Sequence, residues 1–514
     1  MHSLTLGDVA RQHRHTFADD TSLVCRGVRY TYRELDDRTD RLASSLSAAG
    51  VGPGERVLWL GQNCHRVLEL LIACAKLNAM VCPVNWRQSA AEIAFVIDDL
   101  APAVVVWQSE ALGDVIAEAR GLAKHKGAWI SEDTVGEGID YESFLGAGSP
   151  NRPDVPGDSS AAVLVIYTAA FGGRPNGSML TNLSLTTQSA NLLRLADMWA
   201  GYAYLNNGPL FHIGTAMYTV ATFLIGGKNV FTRRADPQDV MELIASERCT
   251  AGMVLPPTIS KIVELNADGE YDLSSFRSPI PMPGWADMVQ TDTSPFGRLG
   301  FGGYGQTEVN GLDVYAVYGG DPSVSTAGRP SPWTRVRILD EDGNEVADGE
   351  TGEIEFSGPL VHAGYWNRPE LNAQRTRSGG WRTNDLGRRE STGVVAFIGP
   401  KTQMIKTGVE NVYPAEVEAC IETHPGVKEA AIIGTPDPQF IQSVKAIVVV
   451  ADGAAVTGRE IVAHCVERIA SYKKPKSIAF VDVLPRTAEG AKDYRALDAA
   501  FGGGGYPGGS TRSQ

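Results

Sequence analysis

Cysteine and histidine are the side chains whose spacing most directly indicates a metal site, a disulfide framework or a catalytic thiol. The chain has seven cysteines, at positions 25, 64, 74, 82, 249, 420 and 465. None forms a Cys-x-x-Cys pair, and none stands at ligand-like spacing from a histidine. An odd, scattered set is typical of reduced thiols in a cytosolic protein. The sequence therefore predicts no metal site and a cytoplasmic location.

A glycine-rich loop follows an apolar strand at residues 161–167 and is the first of seven motif blocks. It reads Tyr167-Thr-Ala-Ala-Phe-Gly-Gly-Arg-Pro-Asn-Gly-Ser178. The other blocks follow in order: Pro209–Gly214 (PLFHIG), Tyr304–Glu308 (YGQTE), Gly364–Pro369 (GYWNRP), Trp381–Asp385 (WRTND), Ile405–Glu418 and His424–Val427 (HPGV). This order, which covers nearly the whole chain, resembles the adenylate-forming superfamily of acyl-CoA synthetases, peptide-synthetase adenylation domains and luciferases.

The resemblance implies a binding site for an acyl-adenylate. In the family, the tyrosine of Tyr-Gly-x-Thr-Glu stacks on adenine, the threonine contacts the α-phosphate and the glutamate holds Mg²⁺. A later aspartate binds both ribose hydroxyls, and Asp385 matches it. The residues expected to bind the adenylate are Gly303, Tyr304, Gly305, Gln306, Thr307 and Asp385, and the candidate catalytic residues are His212 and Lys406.

Several positions that carry the family's adenylation chemistry differ in this chain. The family's loop has hydroxyl residues and ends in Pro-Lys-Gly, so that N–H groups, hydroxyls and a lysine bind the ATP phosphates. A second lysine, at the end of Leu-Pro-Arg-Thr-x-x-Gly-Lys, bridges carboxylate and phosphate. Here Lys492 comes one residue late, and in a strand it would face the opposite side. The degenerate positions are Ala169, Ala170, Phe171, Asn176, Pro400 and Ala491, and Thr402 stands at the hinge position.

These losses bear unequally on the family's two half-reactions. Adenylation brings a carboxylate onto polyanionic ATP, and removing one preorganised donor from such a site costs about 10²–10³ in rate, roughly 2.7–4 kcal/mol. Thioester formation starts from an activated mixed anhydride and a thiol with a pKa of about 8.5, so it chiefly needs orientation. The sequence therefore predicts that adenylation is lost and that thioester formation is kept.

The same resemblance implies that this chain retains the segments that bind coenzyme A in the family. One loop lines the pantetheine tunnel, an aromatic residue covers the CoA adenine, and Tyr472-Lys-Lys-Pro-Lys476 resembles the segment that carries cations for the CoA phosphates. The alternative is that the lysines at 473, 474 and 476 form a solvated loop. The expected CoA-binding residues are Gly408, Val409, Phe440, Tyr472, Lys474 and Lys476.

The pattern suggests a non-adenylating acyl-CoA ligase, similar to the type known from diterpenoid antibiotic (platensimycin-like) biosynthesis. It would convert acyl-adenylate and CoA to acyl-CoA and AMP without a metal, with a separate adenylating enzyme as the supplier. The alternatives are a complete ATP-dependent synthetase that uses Lys492, a non-catalytic protein that binds acyl-adenylate and CoA, and transfer to a carrier-protein thiol. Residues around His212–Tyr218 and Phe301–Gly303 predict a bulky hydrophobic acyl group.

Alternating apolar strands and helices indicate how these residues are positioned. Apolar strands at 56–60, 80–84, 103–106 and 161–167 predict mostly parallel sheets covered by helices. Short strands from about residue 334 predict a small β-rich subdomain. The fold class is therefore α/β. It has a large N-terminal domain (1–401) that includes the β-rich subdomain, a small mobile C-terminal α+β domain (402–500) and a disordered Gly/Ser-rich tail (501–514).

The net charge of the chain argues against nucleic acids and anionic membranes as partners. The chain's 46 basic and 60 acidic residues leave a net charge of −14, which disfavours nucleic acids and anionic membranes.

Residues 198–227 lack Asp, Glu, Lys and Arg over a length that could span a bilayer. Asn206–Pro209 breaks this stretch, so the sequence predicts a buried turn between two packed elements.

Overall fold

The computed structural model describes residues 3–133, 139–151, 154–168, 175–299, 303–318, 327–401, 404–408, 410–486 and 492–504. Six of the predicted positions lie outside these ranges: Ala169, Ala170, Phe171, Thr402, Val409 and Ala491. Phe301 and residues 505–514 of the predicted tail lie outside them as well.

Several helices begin where the sequence offers a capping side chain. Thr31, for example, accepts a hydrogen bond from the backbone of Glu34, whose carboxylate bonds back to Thr31, and this capping box begins α2. The helices are α1 Leu6–Thr16, α2 Tyr32–Ala48, α3 His65–Leu77, α4 Ala90–Leu100, α5 Ser109–Leu122, α6 Tyr141–Gly146, α7 Asn182–Leu195, α8 Ile213–Leu224, α9 Pro237–Glu247, α10 Pro256–Leu265, α11 Trp285–Met288, α12 Pro295–Leu299, α13 Pro369–Thr376, α14 Pro414–Glu422, α15 Gly458–Arg468 and α16 Tyr494–Phe501.

The strands are rich in valine, isoleucine and aromatic residues, which suit a pleated buried surface. They are β1 Thr21–Cys25, β2 Val28–Thr31, β3 Arg56–Leu60, β4 Met80–Pro83, β5 Val104–Trp107, β6 Ala128–Ser131, β7 Ile139–Asp140, β8 Ala162–Thr168, β9 Asn176–Thr181, β10 Ala203–Asn206, β11 Lys228–Phe231, β12 Ala251–Gly252, β13 Arg277–Ser278, β14 Gln290–Thr291, β15 Gly303–Gln306, β16 Gly311–Tyr315, β17 Ala327–Pro330, β18 Arg335–Leu339, β19 Thr351–Ser357, β20 Trp381–Arg389, β21 Val395–Pro400, β22 Ile405–Thr407, β23 Glu410–Val412, β24 Val427–Asp437, β25 Ile441–Val450 and β26 Ser477–Phe480.

Two mostly parallel sheets form the bulk of the N-terminal domain. One has the order β7-β6-β5-β3-β4-β8-β9 and is parallel except for β8 and β9. The other has the order β12-β10-β11-β1-β2 and is parallel except for β1 and β2. The largest buried cluster joins both sheets to the helices between them, through residues such as Leu70 of α3 and Phe223 of α8. The predicted α/β class and parallel sheets are confirmed.

A third sheet is antiparallel and forms the predicted β-rich part, in the order β15-β16-β17-β21-β20-β19-β18. The small C-terminal domain has its own sheet, β23-β22-β25-β24, with β26 beside β25. That sheet packs on α14 and α15 through a separate core that includes Val417, Ile432, Val448 and Ile461. The fold therefore places the adenylate motifs on the third sheet and several of the CoA motifs on the small domain.

The uncharged stretch at 198–227 folds as β10, a turn and α8, as predicted. Leu205 and Ala221 in these elements are fully buried. Within the described ranges, no helix combines the length and apolar character needed to cross a membrane.

Candidate active site

Asp385 is the centre of the predicted adenylate site. It lies on β20, and its Oδ2 accepts hydrogen bonds from the hydroxyl of Tyr304 at 2.7 Å and from Nε2 of Gln306 at 3.2 Å. Burial raises the pKa of Asp385 to about 7, the negative charge of Glu308 adds to the rise, and the two donors oppose it. The structure therefore brings Asp385, Tyr304 and Gln306 together, with a carboxyl group that titrates near neutrality.

The backbone around Tyr304 is held close to its neighbouring strand. A Cβ atom on Gly305 would lie 1.9 Å from the carbonyl oxygen of Gly311 on β16, so only glycine fits. The Tyr304 ring stacks on Phe397, with 5.0 Å between centroids, and is 7% exposed. Stacking of this ring on adenine stays a prediction, because in this structure Tyr304 packs against protein rings.

Glu308, which matches the Mg²⁺-binding glutamate of the family, is buried and hydrogen-bonded. Its Oε1 accepts from the hydroxyl of Tyr365 at 2.6 Å, and burial raises the pKa of its carboxyl. Thr307 begins a short 3₁₀ turn on the same segment. Tyr365 comes from the Gly364–Pro369 block, so two separate motifs meet at this carboxylate.

Asn176, the residue at the position of the phosphate-loop lysine, begins β9. Its Oδ1 accepts a hydrogen bond from Nε of Arg368 at 3.0 Å. Arg368 also pairs with Asp99 at 2.9 Å, and the hydroxyl of Tyr167 donates to the same carboxylate at 2.7 Å. The amide of Asn176 is therefore part of a network of fixed side chains at the base of the loop.

His212 is the N-cap residue of α8, and its side chain is exposed. Its Nδ1 accepts a hydrogen bond from the backbone N–H of Gly214 at 3.0 Å. The surrounding protein lowers the pKa of His212, and the positive charge of Lys406 lowers it further. His212 is therefore neutral near pH 7, with its proton on Nε2, because Nδ1 is the acceptor.

Lys406 reaches this region from the hairpin formed by β22 and β23. Its ammonium donates to Oδ1 of Asn411 at 2.8 Å, and its backbone N–H donates to Oε1 of Gln442 at 3.0 Å. Burial lowers the pKa of Lys406, while Glu410 opposes that shift. The two candidate catalytic residues are thus close enough for one charge to act on the other.

Three of the predicted CoA residues form one cluster on the small domain. Gly408 has a φ of +61° and donates its N–H to the carbonyl of Phe440 at 2.7 Å. The ammonium of Lys476 lies 4.1 Å from the centroid of the Phe440 ring and 3.1 Å from Asp437. A left-handed glycine, an aromatic ring and a cation therefore share one exposed edge.

The other residues of the lysine-rich segment have different surroundings. Lys473 is buried and bridges Glu92 of α4, at 2.8 Å, and Glu416 of α14, at 2.6 Å. A solvated loop is therefore wrong for Lys473. Lys474 donates to Oγ of its neighbour Ser471 at 2.5 Å, and Tyr472 packs against the core of the small domain. Neither of these two joins the Phe440 cluster.

Lys492, the candidate substitute for the missing lysine, is held within the small domain. Its ammonium donates to Glu418 at 2.9 Å, to Glu422 at 3.2 Å and to the carbonyl of Ala430 at 2.6 Å. Pro400 lies opposite Asp385 in the β20–β21 register, where the family has an arginine. The contacts of Lys492 hold its ammonium on Glu418, Glu422 and Ala430, and none of them is with Asp385.

The acyl pocket is predicted around His212–Tyr218 and Phe301–Gly303, and of these residues the structure describes His212–Tyr218 and Gly303. The rings of Tyr204 and Tyr218 stack with 5.1 Å between centroids. Met217 packs closely on Gly311, because a Cβ atom built on Gly311 would lie 2.7 Å from Sδ of Met217. The amide of Gln188 donates to the carbonyl of Leu312 at 2.7 Å. Tyr204, Met217 and Tyr218 belong to the buried core, and a pocket for the acyl group stays a prediction.

Sequence reasoning missed three side chains at this site. Arg368 and Tyr365 lie inside a recognised block, so their positions in the Gly364–Pro369 motif were the available signal. Glu92 gave no such signal, because it is 381 residues from Lys473 and its visible role is to complete the capping box of α4.

Comparison with known proteins shows the family. The model of the AMP-binding enzyme family matches residues 10–366, and the model of its C-terminal domain matches residues 416–491. The chain is 36% identical over 470 residues to a feruloyl-CoA synthase from Amycolatopsis sp, covering 90% of this chain and 92% of that protein. It is 31% identical over 478 residues to an indoleacetate–CoA ligase from Aromatoleum aromaticum, covering 90% and 91%.

A solved structure shares the whole architecture. The amide bond synthetase McbA from Marinactinospora thermotolerans superposes with a TM-score of 0.78 at 23% identity, covering 97% of this chain and 100% of that one. The chain therefore belongs to the AMP-binding enzyme family, in the adenylate-forming superfamily of acyl-CoA ligases that its motifs predicted.

Proposed function

We propose that this protein is a non-adenylating acyl-CoA ligase, which transfers the acyl group of a preformed acyl-adenylate to CoA. The thiol sulfur of CoA attacks the acyl carbon, the bond from that carbon to the phosphate oxygen breaks, and acyl-CoA and AMP leave. The thiol proton passes to solvent or to AMP. The acyl-adenylate comes from a separate adenylating enzyme, and the proposed reaction uses no metal.

The position of Lys492 is the observation that carries the proposal. Adenylation needs a cation that bridges the carboxylate and the α-phosphate, and the family's lysine position is Ala491. The ammonium of Lys492 already has two carboxylates and a carbonyl as partners on the small domain. Moving it would leave Glu418, which is 6% exposed, without its cation, and a buried unpaired charge is costly.

The arrangement around His212 supports the second half-reaction. A neutral imidazole with its proton on Nε2 can donate to the acyl oxygen as negative charge develops there. Lys406 adds positive charge on the same side, and Gly408 follows on the same hairpin. We expect the hairpin to serve thioester formation, in which attack and leaving require placement more than further activation.

The acyl group we propose is aromatic. Tyr204 and Tyr218 stack beside Met217, which suits a flat apolar group. The two relatives described above act on feruloyl and indoleacetyl groups, according to their names. An arylacrylate such as ferulate is therefore the first acid to test.

The test compares two starting points for the same product. With ferulic acid, ATP, Mg²⁺ and CoA, we expect no pyrophosphate release above a protein-free blank and no feruloyl-CoA. With synthetic feruloyl-AMP and CoA, we expect feruloyl-CoA and AMP in equal amounts, unchanged by EDTA. Pyrophosphate release that depends on both the acid and the protein would refute the proposal.

A complete ATP-dependent synthetase is the second candidate, and Arg368 favours it. Its guanidinium donates a hydrogen bond to Oδ1 of Asn176, and Asn176 stands where the family's phosphate loop carries a lysine. If the protein does release pyrophosphate, Lys492→Ala and Arg368→Gln will show which cation is responsible. Lys401→Ala is the matched control for a surface lysine outside both networks.

A further inference from the structure

Cys25, Cys64 and His65 meet in the N-terminal domain although the sequence separates them. Cys25 ends β1, Cys64 precedes α3 and His65 begins that helix. One ligand atom from each lies within 4.8 Å of the other two, and Nδ1 of His65 is 3.4 Å from Sγ of Cys64. Among the described residues this is the one such group of three potential metal ligands.

The group is buried, and part of its hydrogen-bonding capacity is unused. Cys25, Cys64 and His65 are 3%, 4% and 4% exposed. Nε2 of His65 has no hydrogen-bond partner among the described residues. A buried polar atom without a partner costs about 1–3 kcal/mol, so the surrounding protein does not fully satisfy this imidazole.

Glu132 completes the surroundings of the cluster. It follows β6 and is 8% exposed, and its Oε1 accepts from Sγ of Cys64 at 3.7 Å. Its Oε2 accepts no hydrogen bond within the described part of the chain. Arg66 pairs with this carboxylate, and Arg233 lies 3.6 Å from it.

We propose that Cys25, Cys64 and His65 bind one Zn²⁺ ion, with Glu132 as the fourth ligand. Thiolates and imidazole are the ligands that zinc prefers, whereas Mg²⁺ and Ca²⁺ prefer oxygen. A tetrahedral site with Zn–S bonds of about 2.3 Å separates its ligand atoms by about 3.3–3.8 Å. The ligand atoms of Cys25, Cys64 and His65 lie within 4.8 Å of one another, and Glu132 has to turn toward them to complete the tetrahedron.

The net charge of the site is small. Two thiolates and a zinc dication sum to zero, and Arg66 and Arg233 exceed the charge of Glu132 by one, so binding buries no large net charge. Each cysteine loses its thiol proton on binding, so two protons are released per ion at most. The ion would join β1 of one parallel sheet to the segments that follow β3 and β6 of the other, which is a structural role apart from the acyl-transfer site.

The test measures the metal directly. Protein produced in zinc-supplemented medium and purified without chelators should contain about one zinc per chain by plasma mass spectrometry. Cys25→Ser and Cys64→Ser should lose it. Cys74→Ser is the matched control, because Cys74 is buried on α3 away from the cluster and its replacement should leave the zinc in place.

Cobalt substitution of the unmutated protein keeps the proposal testable if the serine variants fail to fold. We expect a near-ultraviolet thiolate-to-cobalt charge-transfer band and visible bands typical of a tetrahedral ion, both removed by added zinc. The proposal is overturned if the protein binds neither ion after incubation with each. A disulfide between Cys25 and Cys64, found by peptide mass analysis without reductant, would overturn it as well.

Discussion

Ionisation of Asp385 should lower the stability of the free protein and favour binding of the adenylate. Its pKa is raised to about 7 by burial, well above that of a solvated aspartate. For a carboxyl whose folded-state pKa is raised, the contribution to stability is fully present below the unfolded pKa near 4 and is lost as pH rises through about 7. Ionised Asp385 therefore destabilises the free protein at pH 8, while it is the form that we expect to accept hydrogen bonds from ribose hydroxyls.

Asp385→Asn should separate these two effects. We expect the variant to be about 1–3 kcal/mol more stable than the unmutated protein at pH 8, with little difference below pH 4.5. Its affinity for a non-hydrolysable acyl-adenylate should fall about tenfold or more. Denaturant melts at the two pH values and titration calorimetry measure both quantities. An equal stability difference at both pH values would contradict the raised pKa.

The affinity of the unmutated protein for the acyl-adenylate should also depend on pH. If ionised Asp385 accepts from both ribose hydroxyls as proposed, affinity should rise as pH increases through about 7 and level off above it. Calorimetry between pH 5.5 and 8.5 checks this, with Asp385→Asn as the control that should show no such step. A rise in affinity toward low pH would contradict the assignment.

Lys476 and Lys474 form a matched pair for testing CoA recognition. Lys476 lies over the Phe440 ring, whereas Lys474 bonds to its neighbour Ser471. Lys476→Ala should raise the KM for CoA about tenfold, as expected when about 1.4 kcal/mol of a charge-assisted contact to phosphate is lost. Lys474→Ala should change it much less. Steady-state assays with synthetic acyl-adenylate and varied CoA measure both constants, and the reverse order would place the CoA phosphates elsewhere.

At the scale of elements, we expect the hairpin of β22 and β23 to be the part of the small domain that acts in acyl transfer. It carries Lys406 toward His212 and holds Gly408 in the left-handed region against the carbonyl of Phe440. Both contacts depend on the backbone path of a few residues. Strain in the hairpin should therefore affect acyl transfer more than adenylate binding.

Gly408→Ala tests this expectation. A side chain at φ +61° costs about 1–2 kcal/mol, so the hairpin should shift and the rate of acyl transfer should fall about tenfold. Gly453→Ala is the matched control, because Gly453 has φ +74° in an open turn with nothing within 4 Å of a new Cβ. Single-turnover measurements with acyl-adenylate give the rates. Equal losses in both variants would mean that general destabilisation, and not the hairpin, is responsible.

At the scale of the whole molecule, one segment of the large domain holds the small domain in place. Arg87 pairs with Glu410 at 3.2 Å, and Oγ of Ser89 donates to the carbonyl of Arg468 at 3.0 Å. The buried Lys473 joins Glu92 to Glu416. Because the first two contacts are exposed, Lys473 should contribute most to the observed orientation.

Replacing Lys473 should loosen this arrangement. Lys473→Met is combined with Glu416→Gln, so that the more buried of its two carboxylate partners is not left charged and unpaired. We expect a larger radius of gyration by small-angle X-ray scattering and a fall in acyl-transfer rate of about fivefold, as for a population shift of about 1 kcal/mol. Lys445→Met, whose lysine bonds within the small domain, is the control. Unchanged scattering and rate would show that other contacts fix the orientation.

The sequence by itself determined the family and the fold class, and it predicted the residues of the adenylate site. These features depend on short-range order: the Tyr304–Glu308 and Trp381–Asp385 blocks each lie on one strand and its turn, and apolar runs such as 56–60 form strands for local reasons. Asn176 was recognised as a departure from the family for the same reason. Its bond to Arg368 was not, because the two residues meet only when β9 and the start of α13 pack.

The tertiary structure decided what happens between distant residues. Lys473 sits in a basic run that suggested solvent or phosphate, yet it is buried between Glu92 and Glu416. The cysteines appeared scattered, yet Cys25 and Cys64 converge beside His65 because β1 and α3 pack against each other. Spacing along a chain shows only neighbours within one element. Contacts between elements depend on how the two sheets and the small domain close, and that is set by burial of their apolar faces across the whole chain.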